Sequence, residues 1–527
     1  MQRSFLLMPT RYLPLIKNSF RKSAGPRVVL GVALFNAVML LAGCVVGPDF
    51  RRPSAPSVER YTPQALPLQT ASVELKGGEA QRFVQGMDIP GQWWTLFRSK
   101  PLDDLIEQAL KANPDMAAAQ ASLRGAWENV YAQQGAFFPS IDAGFNPTRQ
   151  KTAATLSSPL ASGSNIYSLH TAQVAVSYSP DMFGGNRREV ESLKAQADWQ
   201  RFQLEATYLT LTSNVVAAAV QEAALRGQMA ATNLIIGTQS KSLELLQRQY
   251  ALGQIATADV AAQEAALAQS QAMLPPLEKQ LAQQRDLLAR LVGRFPSDAL
   301  LEKFELSKLE LPLDLPVSLP SKLVAQRPDV RSAEELLHSA SAEIGVNIAN
   351  RLPNITLSAN LGSTATSIGQ LFTSGTGFWG LGASLTQPIF QGGTLLHRQR
   401  AAEAAYDQAA AQYRGTVLSA FQNVADTLHA IQSDADALKS AVAAERAAAK
   451  SLAIVQRQLE LGDISYLALL NAEQTYQQAM INLVQALANR YADAAALFQA
   501  LGGGWWNRSD VPADIGGLAP GASTVSR

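Results

Sequence analysis

The chain is written twice, and that duplication limits what it can fold into more than any other feature. Asn113-Pro114-Asp115-Met116 recurs as Arg327-Pro328-Asp329-Val330, and Phe138-Pro139-Ser140-Ile141 as Leu352-Pro353-Asn354-Ile355. Asp181-Met182-Phe183-Gly184-Gly185 is answered by Pro388-Ile389-Phe390-Gln391-Gly392-Gly393. Gln247-Arg248-Gln249-Tyr250-Ala251-Leu252-Gly253 is answered by Gln456-Arg457-Gln458-Leu459-Glu460-Leu461-Gly462, and Leu291-Val292-Gly293 and Leu501-Gly502 close the two copies. The landmarks keep one order at an offset of about 210 residues, far longer than a solenoid repeat. This predicts a first repeat over 113–293 and a second over 327–502. Around them lie a segment 44–112, a Pro-rich link 294–326 and a tail 503–527.

Each copy predicts the same elements. A helix opens at Pro114 or Pro328, where proline suits the first turn and Asp115 or Asp329 the positive helix end. It stops before Pro139 or Pro353, where the apolar period falls to two. Ile141, Ala143 and Phe145 alternate with polar or small residues, as do Val174, Val176 and Tyr178; so do Ile355, Leu357, Ala359 and Leu361, and Trp379, Leu381, Ala383 and Leu385. Polar segments, Thr152 to Asn165 and Ser363 to Gly377, join each pair of strands. A helical pattern without proline then runs from Arg187 to Gly253 and from Leu395 to Gly462, about 100 Å at ~1.5 Å per residue. Return helices follow to Gly293 and Gly502, with a kink expected at Pro275-Pro276. Such lengths call for coiled-coil packing, and plentiful alanine with few aromatics lets helix axes approach closely.

Four amphipathic strands cannot close a barrel in lipid, because the edge groups would stay unsatisfied; the chain must therefore associate with further copies. Phe137, Phe138, Tyr178, Phe378 and Trp379 lie near strand ends, where an aromatic girdle is expected. The alternative, a soluble sandwich carrying helical hairpins, is opposed by the apolar row from Trp379 to Leu385.

The N-terminus supplies an address. Of 44 Lys and Arg, six precede Cys44 and no acid does, which leaves the remainder with 38 bases against 43 acids. A weakly acidic body lacks the electrostatic footprint of a nucleic-acid binder. The basic leader runs into an apolar stretch, Val28 to Leu41, of signal-peptide length, so 1–43 reads as a signal peptide. Leu41-Ala42-Gly43-Cys44 resembles the lipobox of bacterial lipoproteins, which makes Cys44 the expected lipidation site. Cys44 is the single cysteine of the chain, so the mature body has no disulfide and no cysteine-based site. Val45, rather than Asp, follows it, which favours the outer membrane. His170, His338, His397 and His429 are scattered without metal-ligand spacing, and no cluster points to catalysis or to any cofactor beyond the covalent lipid.

Several segments together resemble one family. They are Val324-Ala325-Gln326-Arg327-Pro328-Asp329-Val330-Arg331-Ser332-Ala333-Glu334, Ala342-Glu343-Ile344-Gly345-Val346 and Gln387-Pro388-Ile389-Phe390-Gln391-Gly392-Gly393, with Gly47-Pro48-Asp49-Phe50, Trp93-Trp94-Thr95-Leu96-Phe97 and Ala500-Leu501-Gly502-Gly503-Gly504-Trp505. These resemble the TolC-like outer-membrane factors of tripartite efflux pumps, in their NodT-type lipoprotein branch, from Cys44 to Trp505. The resemblance implies a mainly α chain with a transmembrane β-barrel. Four strands per chain would build a trimeric twelve-stranded barrel, continued by a long coiled-coil tunnel into the periplasm. It implies a homotrimer, an equatorial girdle including Leu311 to Pro320, a periplasmic adaptor (membrane fusion) protein and an inner-membrane, proton-driven transporter. The substrates implied are drugs, dyes, detergents or metal ions, moved without chemical change. A type I protein secretion channel shares that architecture, and a lipid-anchored periplasmic scaffold without a pore is a rival of another class.

The turns at Gly253 and Gly462 fall at the far ends of the long helices, where the resemblance implies the closed tip and the adaptor contact. It also implies a ring of carboxylates on the second return helix. Here that stretch reads Ser465-Tyr466-Leu467-Ala468-Leu469-Leu470-Asn471, with Ala468 and Asn471 at the ring positions, so Asn471 is left to narrow the pore by polar contact. Asp259 follows the first turn. It reads either as a gate group or as a helix-N-terminal acid worth about 0.3–1 kcal/mol.

Overall fold

The computed structural model describes residues 45–153, 165–298 and 301–510. Cys44, the expected signal peptide, most of the segment joining the first strand pair and the end of the tail lie outside the described residues. In chain order the elements are β1 (Arg82–Gln85), α1 (Lys100–Ala112), α2 (Pro114–Gln134), β2 (Ser140–Lys151), β3 (Ile166–Tyr178), α3 (Gly185–Ala251), α4 (Thr257–Ala272), α5 (Leu274–Leu291), β4 (Asp314–Val317), α6 (Pro320–Gln326), α7 (Pro328–Ala349), β5 (Asn354–Ala365), β6 (Gly377–Thr386), α8 (Thr394–Glu460) and α9 (Tyr466–Ala500). The order helix, two strands, long helix, return helix thus occurs twice. α3 and α8 each hold 67 residues. The expected kink in the first return helix is a break in the hydrogen-bond ladder at Met273, whose φ of −76° and ψ of −21° stay helical.

β2, β3, β5 and β6 form one antiparallel sheet in that order. Directly paired residues share a face, so register sorts the side chains. Ile141, Val176, Ala359 and Leu381 form one row, and Ala143, Val174, Leu361 and Trp379 the next. The opposite face carries Asp142, Asn146, Gln173, Thr171, Ser358, Asn360, Thr364 and Ser384. Among the described residues the outer edges of β2 and β6 have no partner strand. The girdle expectation needs correction at two positions. Phe137 packs against Val130, Val190 and Ala197 of the helices below the sheet. Phe378 pairs with Gly362 and therefore lies on the polar face; a Cβ on Gly362 would strike its ring.

The main core wraps the middle of the long helices. Trp93, Phe97, Leu102 and Leu105 from the first flank meet Val215 and Ala219 of α3, Val424 and Leu428 of α8, and Tyr491 and Phe498 of α9. Trp93 stacks on Phe498 with ring centroids 5.3 Å apart. Leu311 to Pro320 packs into this core: β4 pairs in parallel with β1, and Leu315 is fully buried.

The repeated landmarks prove to be clamps. Asn113 caps α2 by accepting from the backbone N–H groups of Asp115 and Met116, and its amide donates to Leu291 O at 2.9 Å. In the second copy the Arg327 guanidinium donates to Ala500 O at 3.0 Å. Gly293 lies against the Ala112 carbonyl and Gly502 against the Gln326 carbonyl, both with positive φ, so neither place admits a side chain. Each copy therefore ties the end of its return helix to the start of its first helix.

Candidate functional site

The helix hairpins end in two matched turns. Gly253 has φ +73° and Gly462 φ +78°, with nothing near enough to obstruct a Cβ, so backbone conformation alone selects glycine. Gln254 N–H donates to Gln249 O and Gly253 N–H to Tyr250 O; Asp463 to Gln458 and Gly462 to Leu459 repeat the pattern. The residues just before the glycines, Leu252 and Leu461, are exposed. The turns therefore present two equivalent apolar tips on solvent.

Just above the turns a small core joins the hairpins. Leu246, Leu452, Tyr466 and Leu469 are its buried centre, with Ile255, Val260, Val455 and Leu470 around them. The Tyr466 hydroxyl donates to Gln263 Oε1 at 2.6 Å, linking α9 to α4. Burial, reinforced by Glu473 and Asp259, pushes that hydroxyl well above its ordinary range, so it stays a donor. Tyr466 carries a role that the sequence reading did not assign. The available signal was a buried aromatic one residue after Ser465, the N-cap of the return helix.

Asp259 stands in the first turn of α4, half-buried and close enough to Tyr466 to act on it electrostatically. Asn471 lies exposed on α9, where its carbonyl accepts from the Thr475 hydroxyl at 2.7 Å. The structure thus brings Asp259, Tyr466 and Gln263 to one seam and leaves Asn471 apart from it. Ala468 is half-buried.

At the other end, the described chain starts against the foot of the sheet. Val46 N–H donates to Phe183 O at 3.0 Å, and Val45 lies on Gly184 at the start of α3. Arg188, buried to 4%, donates to Val46 O and Gly47 O and pairs with Asp49 and Glu191. Phe50 stacks on His338 at 4.3 Å, and Arg52 pairs with Glu334. Gly47 meets Gly345 backbone to backbone: a Cβ on Gly47 would stand 2.4 Å from the Gly345 Cα. Glu335 and Glu191 bond the two ring nitrogens of His338. The Glu335 bond, with help from Glu191, raises its pKa against the opposing effect of burial. His397 and His429 are exposed on α8.

Among the described residues no helix is long and apolar enough to cross a membrane, and no group of three or more His, Cys, Asp or Glu is placed to hold a metal ion.

The sequence profile described as outer membrane efflux protein matches residues 105–294 and 319–503. The probable efflux pump outer membrane protein TtgC of Pseudomonas putida is 28% identical over 484 residues, covering 91% of this chain and 96% of that protein. The probable outer membrane lipoprotein SilC of Salmonella typhimurium is 27% identical, covering 89% of this chain and 98% of its own. The solved outer-membrane channel OprN superposes with a TM-score of 0.77 at 26% identity, covering 88% of this chain and all of that one.

Proposed function

The chain belongs to the outer membrane efflux protein family, and on that footing we propose how its parts divide the work. It is the outer-membrane exit duct of a tripartite efflux system, a homotrimer that passively conducts small toxic compounds received from an adaptor and an inner-membrane transporter. The family is one of channels, not of enzymes. The observation that carries the duct reading is the sheet: one apolar face, one polar face, and two outer strand edges without partners among the described residues. Those edges are satisfied in lipid only by neighbouring protomers, and the polar face then lines the bore.

In this reading the paired leucine tips at Gly253 and Gly462 receive the adaptor, whose transporter is proton-driven. Asp259 and Tyr466 help hold the hairpin end closed, with Asn471 narrowing the bore, and the two matched repeats form the two halves of each protomer's wall. Substitution Asp259→Ala should raise single-channel conductance of the reconstituted trimer; an unchanged conductance would leave Asp259 as a helix-terminal acid only, worth about 0.3–1 kcal/mol. Wild-type trimers that pass no current in any condition would sink the duct itself.

Cys44 carries the lipid in this proposal. The chain segment that follows it is clamped by Arg188 at the foot of the sheet, so the acyl chains would enter the leaflet where the strands begin. Since the strands hold the protein in the membrane by themselves, the lipid aids insertion and assembly. Cys44→Ser behind a cleavable signal should lower the yield of assembled trimer and leave assembled channels conducting. Normal amounts of non-conducting trimer would contradict that division of labour.

A further inference from the structure

Between the main core and the small core above the turns, the helices do not bury apolar side chains alone. Thr232 and Gln239 on α3, Gln263 and Ser270 on α4, and Tyr466 and Glu473 on α9 each recur at seven-residue spacing, and all six are buried. They occupy seam positions of a coiled coil with polar groups, which lowers stability there relative to an apolar seam. The Gln263 amide donates to Gln239 O at 2.7 Å, and the Ser270 hydroxyl to Gln477 Oε1 at 3.5 Å. Leu246 lies on the turn side of this layer and Leu469 within it, between Tyr466 and Glu473, while the main core resumes at Ala224 on α3 and Ala488 on α9.

Glu473 is the exceptional member. Its side chain is 1% exposed, and neither carboxyl oxygen has a partner at good hydrogen-bond geometry, although the Gln239 amide is near enough to favour its charged form. The buried polar groups of this layer on α3 and α4, Thr232, Gln239, Gln263 and Ser270, are all neutral, and Gln239 reaches it. On its own helix its neighbours in the layer are Tyr466 and Gln477. Asp259 lies beyond Tyr466 toward the turn, and Glu445 on α8 is engaged with Tyr476. No cation compensates the carboxyl. Burial raises its pKa, and the Gln239 amide offsets only part of that rise. A carboxylate left here would be much costlier than the neutral acid.

We propose that Glu473 is a closure residue of the duct: as the neutral acid it lets α9 stay packed on the α3–α4 hairpin, and it releases its proton to water as those helices part. This rests on the reading of the hairpin end as the closing end. The sign follows from linkage. The closed form binds the proton more tightly than an open form in which Glu473 is hydrated and ordinary, at about 4.3. Closure is therefore fully favoured below that ordinary value and is lost as pH rises through the raised one. Across that window the open-to-closed ratio grows roughly tenfold per pH unit for each protomer.

The test uses the intact trimer in lipid, recorded at about pH 4 and about pH 8, ends that bracket the window from the ordinary glutamate value upward. Wild type should open more often at the higher pH, by roughly tenfold for each pH unit that the window spans. Glu473→Gln, a neutral isostere of the acid, should stay at the low-pH level at both. Hydrogen exchange of the α4 and α9 amides, corrected for intrinsic rate, should show the same Glu473-dependent loosening. A glutamine variant that keeps the wild-type pH response, or wild-type channels and amides indifferent to pH, would overturn the proposal. Loosening that depends on Glu473 in trimers without current would instead sink the duct reading and leave the seam standing.

Discussion

Replacing Leu381 with arginine should all but abolish assembled trimer in the outer membrane, while Ser384→Arg, three residues along the same strand, should assemble. Leu381 is 78% exposed in the single chain and shares its face with Ile141, Val176 and Ala359. In the barrel that face meets hydrocarbon. An arginine near the bilayer midplane of a transmembrane strand costs about 2–4 kcal/mol, and three symmetry-related copies bring roughly 6–12 kcal/mol. That is comparable with the whole stability of a typical folded protein, about 5–15 kcal/mol. Ser384 pairs with Thr356 on the polar face, so an arginine there remains in water and changes conductance instead. The measurement is the amount of trimer extracted from outer membranes, followed by single-channel recording. Equal yields of the two variants would mean that the assignment of the faces is inverted or that the sheet does not meet lipid.

This prediction could nearly be drawn from the sequence, because strand parity is a local signal. Period two in Trp379 to Leu385 fixes which residues share a face once a strand exists, and register then follows from pairing. The positive-φ glycines at 253 and 462 were legible for the same reason: the helical pattern stops there and restarts. Clamps were visible only as motifs. Gly47 and Gly345 stand in two of the segments that carry the family resemblance, yet nothing in either reveals that the two backbones touch. Likewise Gln326-Arg327-Pro328-Asp329 and Ala500-Leu501-Gly502 are one contact seen from two sides. Phe378 was misplaced because nearness to a strand end says nothing about face, which its odd or even position decides.

The polar seam was harder still. Gln263 and Ser270, or Tyr466 and Glu473, look like unremarkable polar positions on Ala- and Gln-rich helices. Their burial depends on which helix lies opposite, and α3 is packed against by both return segments. The seven-residue spacing was present, but a polar heptad is ordinarily a solvated face. Only tertiary packing distinguishes the two, and it also leaves Asn471, nearby on the same helix, in solvent.

Arg490 shows how large a contribution can hide in such a helix, and its loss is the second large effect expected. The side chain is 2% exposed, and its guanidinium donates to Gly77 O, Glu79 O, Gln81 Oε1 and Thr70 Oγ1. All four acceptors belong to the segment before β1 that wraps α9 at the main core. Burial draws the guanidinium pKa down, partly offset by Glu79, but arginine keeps its charge. The bonds of one charged group therefore hold that wrap. Arg490→Ala removes the donors and leaves the Gly77 carbonyl and the Gln81 Oε1 buried without them, at roughly 1–3 kcal/mol for each. With the lost charge-assisted bonds the expected destabilisation is about 3–5 kcal/mol. Lysine should not restore it, since one ammonium cannot reproduce a planar fork that reaches four acceptors. Thermal dissociation of the purified trimer should fall for both variants, and limited proteolysis should cut first between Thr70 and Arg82. Arg490→Lys trimers as heat-stable and protease-resistant as wild type would show that charge alone, not the fork, secures the wrap.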